Sequence, residues 1–342
     1  MITFEQLTQE STAIFTLSIL AFLVAMLLTP LYTHFAYKYR LWKRSRTSST
    51  TGEALEVINK LRTRKRNVPT MAGIIVIVAV TVVTVSFNLD KQQTLLPLLA
   101  LLGGGLVGLI DDIINVRGDG SGVAGLRAPI KFAMIVVVAA IAALYFYFKL
   151  EYNAVHIPFG GDIELGWALI PLFILVVVST GNAVNISDGL DGLAGGLLMS
   201  AFGAFGVIAV MQGNFGIAAF CLTVVGALLA YTWFNVAPAR FFMGDVGSFA
   251  LGTSLGVVAM LTNTLLLLPV IGLIFVIEAG SSLIQIFSKK VFHRKVFLSA
   301  PVHHHLEATG WPKTKVTMRF WIVGQVCAVV GVVLALVGGY IA

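Results

Sequence analysis

The feature that most limits this chain is a series of apolar stretches, each close to twenty residues, that begins near Ala13 and runs to the C-terminal region. About 20 apolar residues is the length an α-helix needs to cross the hydrocarbon core of a bilayer. Lipid offers no partner to a backbone N–H or C=O, so such spans must be helical. The stretches fall at 13–37, 68–88, 94–111, 129–149, 166–184, 193–211, 215–234, 248–264, 267–288 and 318–341, which makes ten. Hydrophobic residues make up 58% of the 342 residues and charged residues only 11%, against about 25% charged in a soluble domain. That charge is too sparse to cover a water-soluble globule, and the apolar content excludes disorder. The chain reads as an all-α polytopic membrane protein, one integral membrane unit over residues 1–342. Its first apolar run is too long for a cleaved signal peptide and lacks a small-residue cleavage site.

The distribution of Lys and Arg predicts the orientation. With the N-terminus outside, 21 of the 23 basic residues fall in the inside segments, and only Lys91 and Lys149 fall outside. Ten of them lie between Lys38 and Arg66. Such asymmetry is the mark of loops retained on the cytoplasmic side. The net charge of +7 is therefore read as contact with anionic lipid of the bilayer, not with nucleic acid. The segment 150–165, with Pro158, Gly160 and Gly161, reads as a short external hairpin or loop. Cys221 and Cys327 sit inside apolar stretches and read as small buried hydrophobes.

The acids carry more information than the bases. Asp111, Asp112, Asp188, Asp191 and Asp245 all fall at the inner ends of apolar helices, from three separate parts of the chain. Carboxylates at membrane depth are costly and mark function more often than capping. In GLIDDIINV, Asp111 and Asp112 are neighbours; both hold their charge only with a cation nearby. Hard oxygen ligands select Mg²⁺ or Mn²⁺, which completes its shell with water and phosphate oxygens. In GNAVNISDGLDGLAGG, Asn182, Asn185, Asp188 and Asp191 recur every third residue, so a helix or tight helical loop would align them as one polar stripe. A bland alternative is a polar turn between spans. In RFFMGDVGSFALG, Asp245 stands near glycines just before the eighth span; it could reach a metal or simply cap that helix.

Two further runs suit phosphate. APVHHHLEATGW carries His303, His304 and His305, which cannot all face one transition metal from a regular helix and suit hydrogen bonding to phosphate better. A solvated loop tract is the plain alternative. The basic run RTRKRNVPT ends in Lys65, Arg66, Pro69 and Thr70 at the entry to the second span. Most of these charges set topology, but Lys65, and Lys131 at the start of the fourth span, could also hold a diphosphate.

Taken together, PTMAG at 69–73, NAVNISDGLDGLAGG, FMGDVGS and the stretch from APVHHHLEATGWP to GWPKTKVTMRFW resemble the polyprenyl-phosphate N-acetylhexosamine-1-phosphate transferase superfamily over nearly the whole chain. The His run is closer to the muramoyl-pentapeptide branch than to the branch using UDP-GlcNAc. The resemblance implies transfer of phospho-MurNAc-pentapeptide from UDP-MurNAc-pentapeptide to undecaprenyl phosphate in a bacterial inner membrane. UMP is released, and the product is the first lipid-linked intermediate of peptidoglycan. It further implies Asp111 and Asp112 as an essential acidic pair and Asp245 as the main Mg²⁺ ligand. Asn182, Asn185 and Asp188 would line the diphosphate and metal region, and Asp191, Phe242 and Asn235 the nucleoside wall. Lys65, Thr70, Lys131 and Gln285 would be polar pocket residues, with Glu278 another polar position of the ninth helix. His303, His304 and His305 would lie near the sugar-phosphate. The ninth helix would bend, with Gly280, Ser281 and Ser282 as candidates for the bend. Members of this superfamily often pair as homodimers. The chain departs from the superfamily at Asn115, where Lys is usual, and in PTMAG, where PTMGG is usual.

Two other readings remain open at this point: the same transfer from UDP-GlcNAc or another UDP-HexNAc, and a secondary transporter. Transporters place ionisable groups near the bilayer midplane and often show repeat symmetry. Here the acids gather at one face and no duplicated half is visible.

Overall fold

The computed structural model describes residues 4–42, 68–117 and 125–340. Lys65 lies outside the described residues. The helices are α1 (Phe4–Lys38), α2 (Gly73–Phe87), α3 (Leu95–Arg117), α4 (Ala128–Leu144, continued by a π-helical turn Tyr145–Lys149), α5 (Leu169–Ser187), α6 (Leu193–Met211) and α7 (Phe215–Asn235). They continue with α8 (Gly244–Leu261), the short α9 (Leu268–Ile271), α10 (Leu273–Val291), α11 (Val302–Ala308) and α12 (Lys313–Val337). Among the described residues eight helices are long and apolar enough to span a membrane; α9 and α10 form a ninth, broken span, and α2 is a shorter apolar helix. These account for the ten apolar stretches read from the sequence.

The bundle is organised around α8, of which every residue from Gly244 to Leu261 is buried. A helix buried on all sides can approach its neighbours only where side chains are small. Gly104 and Gly108 of α3 supply that on one side: a Cβ at Gly108 would collide with the backbone of Asp245, and one at Gly104 would lie 2.7 Å from the Phe249 carbonyl oxygen. On another side, a Cβ at Gly252 would come within 2.8 Å of the Gly181 Cα on α5. Close backbone approach at small residues is the usual basis of helix association in lipid, where burial of apolar surface drives little. Hydroxyls strengthen the α3–α8 seam. Thr253 Oγ1 donates to the Ala100 carbonyl at 2.8 Å and Ser254 Oγ to the Pro97 carbonyl at 3.0 Å. α1 lies on the outside of the bundle, burying only the thin stripe Ile14, Ser18, Ala21, Ala25, Thr29 and Ala36. Ser18 abuts Gly226 of α7.

The predicted external hairpin is present as β1 (Ala154–Ile157) and β2 (Gly161–Glu164), antiparallel with His156 opposite Asp162. The His156 ring bonds Asp162 Oδ1 at 2.7 Å and the Gly338 carbonyl at 3.0 Å, tying the hairpin to the end of α12.

Two expectations need correction. The eighth span begins at Gly244, four residues earlier than 248, so Asp245 sits inside the first helical turn and not before it. Its N-cap position is Met243. The bend of the ninth span is at Gly272, with an angle of 82° between Leu265–Ile271 and Leu273–Val291. Gly280, Ser281 and Ser282 stay helical. Ser281 Oγ donates back to the Glu278 carbonyl at 2.9 Å, and a Cβ at Gly280 would meet nothing within 4 Å.

Gly108→Ala should therefore force α3 away from α8 and lower stability by about 1–3 kcal/mol. Gly203→Ala on α6, where a Cβ would find open space, should change it by less than about 0.5 kcal/mol. Thermal unfolding of the two variants in detergent checks the difference.

Candidate active site

The site is built where α3 ends and α8 begins, at the end of the bundle whose connecting segments carry most of the basic residues. The FFMGD and PTMAG segments are laced by backbone bonds. Phe242 N–H donates to the Pro69 carbonyl at 2.8 Å, Ala72 N–H to the Phe242 carbonyl at 3.0 Å and Gly73 N–H to the Met243 carbonyl at 2.9 Å. The Tyr32 hydroxyl of α1 donates to the Thr70 carbonyl. Gly244, at φ +78°, turns the chain into α8 so closely that a Cβ there would lie 2.5 Å from Asp112 Oδ2 and 3.0 Å from Thr70 Oγ1. Only glycine fits that position without strain.

Asp111, Asp112 and Asp245 are all buried, and one carboxylate oxygen from each lies within 4.8 Å of the others. Asp112 Oδ2 accepts the N–H of Val246, the third residue of α8, at 3.0 Å, so a carboxylate from another helix caps α8. Asp111 Oδ1 accepts the Leu126 N–H at 2.7 Å. Lys131, from the first turn of α4, reaches Asp111 Oδ2 at 2.9 Å and Asp245 Oδ2 at 2.6 Å. Burying a carboxylate without a compensating charge costs several kcal/mol, and Lys131 supplies ammonium contacts to two of the three. The donor set is all hard oxygen, which fits a divalent cation.

The second wall comes from the α5–α6 connection. The expected polar stripe is only partly helical: Asn182 and Asn185 lie on α5, Asp188 closes it as the C-cap residue, and Asp191 lies in the turn before α6. Asn182 Nδ2 donates to its own helix at the Val178 carbonyl, 2.8 Å away. Asn185 Nδ2 donates to Ser248 Oγ on α8 at 2.8 Å, joining this wall to the carboxylates. Asp191 Oδ2 accepts the Ala239 N–H at 2.9 Å. Asn235 has both ends of its amide occupied by backbone, accepting from Gly192 N–H at 3.0 Å and donating to the Phe241 carbonyl at 2.8 Å. It braces the wall. Phe242 is 39% exposed.

The His run forms the short helix α11, and its three rings take different partners, although those of His303 and His304 lie 4.2 Å apart. His303 is buried, with Nδ1 2.7 Å from Glu278 Oε2 and Nε2 against Gly189. His304 bonds Glu307 Oε2 at 2.6 Å, and His305 Nδ1 accepts the Leu298 N–H at 3.2 Å. Gln285 is taken up by the preceding loop, accepting from Val296 and Phe297 N–H at 3.0 Å each. Burial works to raise the Glu307 carboxyl, but the hydrogen bond and charge of His304, with Lys313 and His303, outweigh it and hold the group below its ordinary value. A separate groove of about 680 Å³ lies between the inner end of α1 and the 234–241 turn and includes none of the three acids.

Sequence reasoning passed over Ser248, Tyr32 and Glu307. Ser248 stood inside FMGDVGS and could have been found from that motif; nothing local marks Tyr32, which acts through a backbone carbonyl 38 residues away.

Fold and site together define an integral membrane protein with a carboxylate triad suited to a divalent ion at one end of its helical bundle. Residues 94–263 match the profile of Glycosyl transferase family 4. The chain is 40% identical over 97% of its length to the phospho-N-acetylmuramoyl-pentapeptide-transferase of Chloroflexus aggregans, covering 92% of that relative. It is 39% identical over 91% of its length to the phospho-N-acetylmuramoyl-pentapeptide-transferase of Bacillus mycoides, covering 94% of it. The chain belongs to the phospho-N-acetylmuramoyl-pentapeptide-transferase family.

Two outcomes follow from the electrostatics. Lys131→Met leaves the three carboxylates without their internal counter-charge, so added Mg²⁺ should raise the melting temperature more than in the unaltered protein. An equal or smaller rise would show that Lys131 does not compete for those oxygens. Glu307→Gln should lower the melting temperature at neutral pH. A depressed carboxyl contributes stability that is present above its unfolded value and lost as pH falls through its folded one, so the difference should vanish in acid below the ordinary glutamate range.

Proposed function

We propose that this chain transfers phospho-MurNAc-pentapeptide from UDP-MurNAc-pentapeptide to undecaprenyl phosphate at the cytoplasmic face of the membrane, with release of UMP. The observation that carries this reading is the buried cluster of Asp111, Asp112 and Asp245 joined by Lys131. Relatives at 39–40% identity over nearly the full chain bear the name of that transferase, which favours it over a UDP-GlcNAc enzyme or a carrier.

In this reading an oxygen of the lipid phosphate attacks the sugar-linked β-phosphorus. A new P–O bond forms, and the bond from that phosphorus to the bridging oxygen breaks, its electron pair leaving with UMP. A phosphate monoester has a second pKa near ~6, so the nucleophile is largely ionised and needs no strong base. Asp245, with Asp111 and Asp112, would hold Mg²⁺, which when bound neutralises diphosphate charge. Lys131, released from part of its pairing, donates to a diphosphate oxygen. Lys65 and Thr70 would assist on the PTMAG side. Phe242 stacks on uracil and Asp191 meets its polar edge. Asn182, Asn185 and Asp188 position the diphosphate, while the His303–His305 run faces the sugar-phosphate. Most of the rate would come from positioning and fixed charge.

Asp245→Asn should lower turnover by at least about 10²-fold, with the folded state retained on size-exclusion chromatography. UMP release from UDP-MurNAc-pentapeptide and undecaprenyl phosphate with Mg²⁺ measures it. Undiminished Mg²⁺-dependent release by the variant would overturn the assignment.

A further inference from the structure

On α10, Glu278, Ser281, Gln285 and Ser288 recur at helical spacing on one face, and all four are buried. The opposite face, including Leu283, Ile284 and Phe287, is exposed and apolar. Each buried polar residue bonds a successive station of the chain that returns toward α11. Ser288 Oγ donates to the Arg294 carbonyl at 2.9 Å. Gln285 accepts from Val296 and Phe297 N–H and donates to the Phe297 carbonyl, each at 3.0 Å. Ser281 Oγ accepts the Val302 N–H at 3.0 Å. The last rung is Glu278 Oε2 with His303 Nδ1 at 2.7 Å.

The first three rungs hold backbone, for which neutral side chains suffice. The fourth differs. Glu278 is 0% exposed and His303 is 1% exposed. A buried carboxylate is a costly way to brace a loop. The Glu278 carboxyl group engages Nδ1, which leaves Nε2 as the other polar atom of the ring. Nε2 is buried with no hydrogen-bond partner among the described residues. It is held against Gly189, where a side chain of any size would strike it. Gly189 directly follows Asp188 in the wall that joins the carboxylates through Asn185 and Ser248.

We propose that Glu278 is a positioning residue for the transfer. It fixes the direction and proton placement of His303, so that Nε2 meets a phosphoryl oxygen of the nucleotide-sugar substrate beside Gly189. The other three rungs set the register in which the ring is delivered. This rests on the transferase reading given above.

The test is a double-mutant cycle on UMP release by the full chain in detergent–lipid micelles, using UDP-MurNAc-pentapeptide, undecaprenyl phosphate and Mg²⁺. Glu278→Ala should lower kcat about 10- to 100-fold, the range typical when the outer partner of a functional imidazole is removed. The KM for the nucleotide substrate should stay within about threefold. In a His303→Ala background the same change should cost less than about twofold, because its effect passes through the ring. Should Glu278→Ala not fold, the near-isosteric Glu278→Gln goes through the same cycle, with a smaller first loss and the same absence of a second. Losses that multiply in the double variant would overturn the proposal and leave the transferase reading standing. An inactive unaltered protein would overturn both.

Discussion

One hydrogen bond organises the functional end of this molecule: Val246 N–H to Asp112 Oδ2, at 3.0 Å. Because α8 is buried from end to end, the N–H groups of its first turn depend on acceptors from the protein, and its own N-cap residue supplies no side chain to them. The acceptor must come from a neighbour. α3 brings it, and it can do so only because Gly108 and Gly244 remove the atoms that would keep the two helices apart. The positive end of the α8 dipole in turn eases the burial of negative charge there. Once Asp112 is fixed, Asp111 beside it and Asp245 one residue before Val246 have little choice but to converge.

Lys131 then decides the electrostatic state of the cluster. It arrives from a third element, α4, and bonds two of the three acids. Its ammonium keeps the carboxylates tolerable in a protein interior.

Much of this was legible in the sequence, and for identifiable reasons. Span length and hydropathy are properties of contiguous residues, so α2, α4 to α7 and α12 fall close to where the apolar stretches predict, while α1 begins earlier, at Phe4, and α3 runs on to Arg117 through residues too polar to be read as span. The three acids stood out because a charge next to an apolar run is conspicuous. What escaped was set by tertiary contact. The start of α8 at Gly244 depends on Asp112 for its cap. The stripe from Asn182 to Asp191 breaks because α5 ends at Ser187. The Gly280–Ser282 run looked like a hinge, yet the Ser281 hydroxyl serves two backbone groups in a regular helix while Gly272 takes the bend. Asn235 and Gln285 looked like ligand contacts, yet their amides are committed to holding loops.

The 82° break at Gly272 also divides the mechanical support of the molecule. Of the carboxylates, Asp245 stands on the innermost helix, α8, and Asp111 and Asp112 stand on α3, which packs closely against it. The imidazole of His303 is tied through Glu278 to α10, whose outer side is exposed and apolar. The acids and the imidazole are thus carried by separate helices, and the helix behind the imidazole lies beyond that break in the chain.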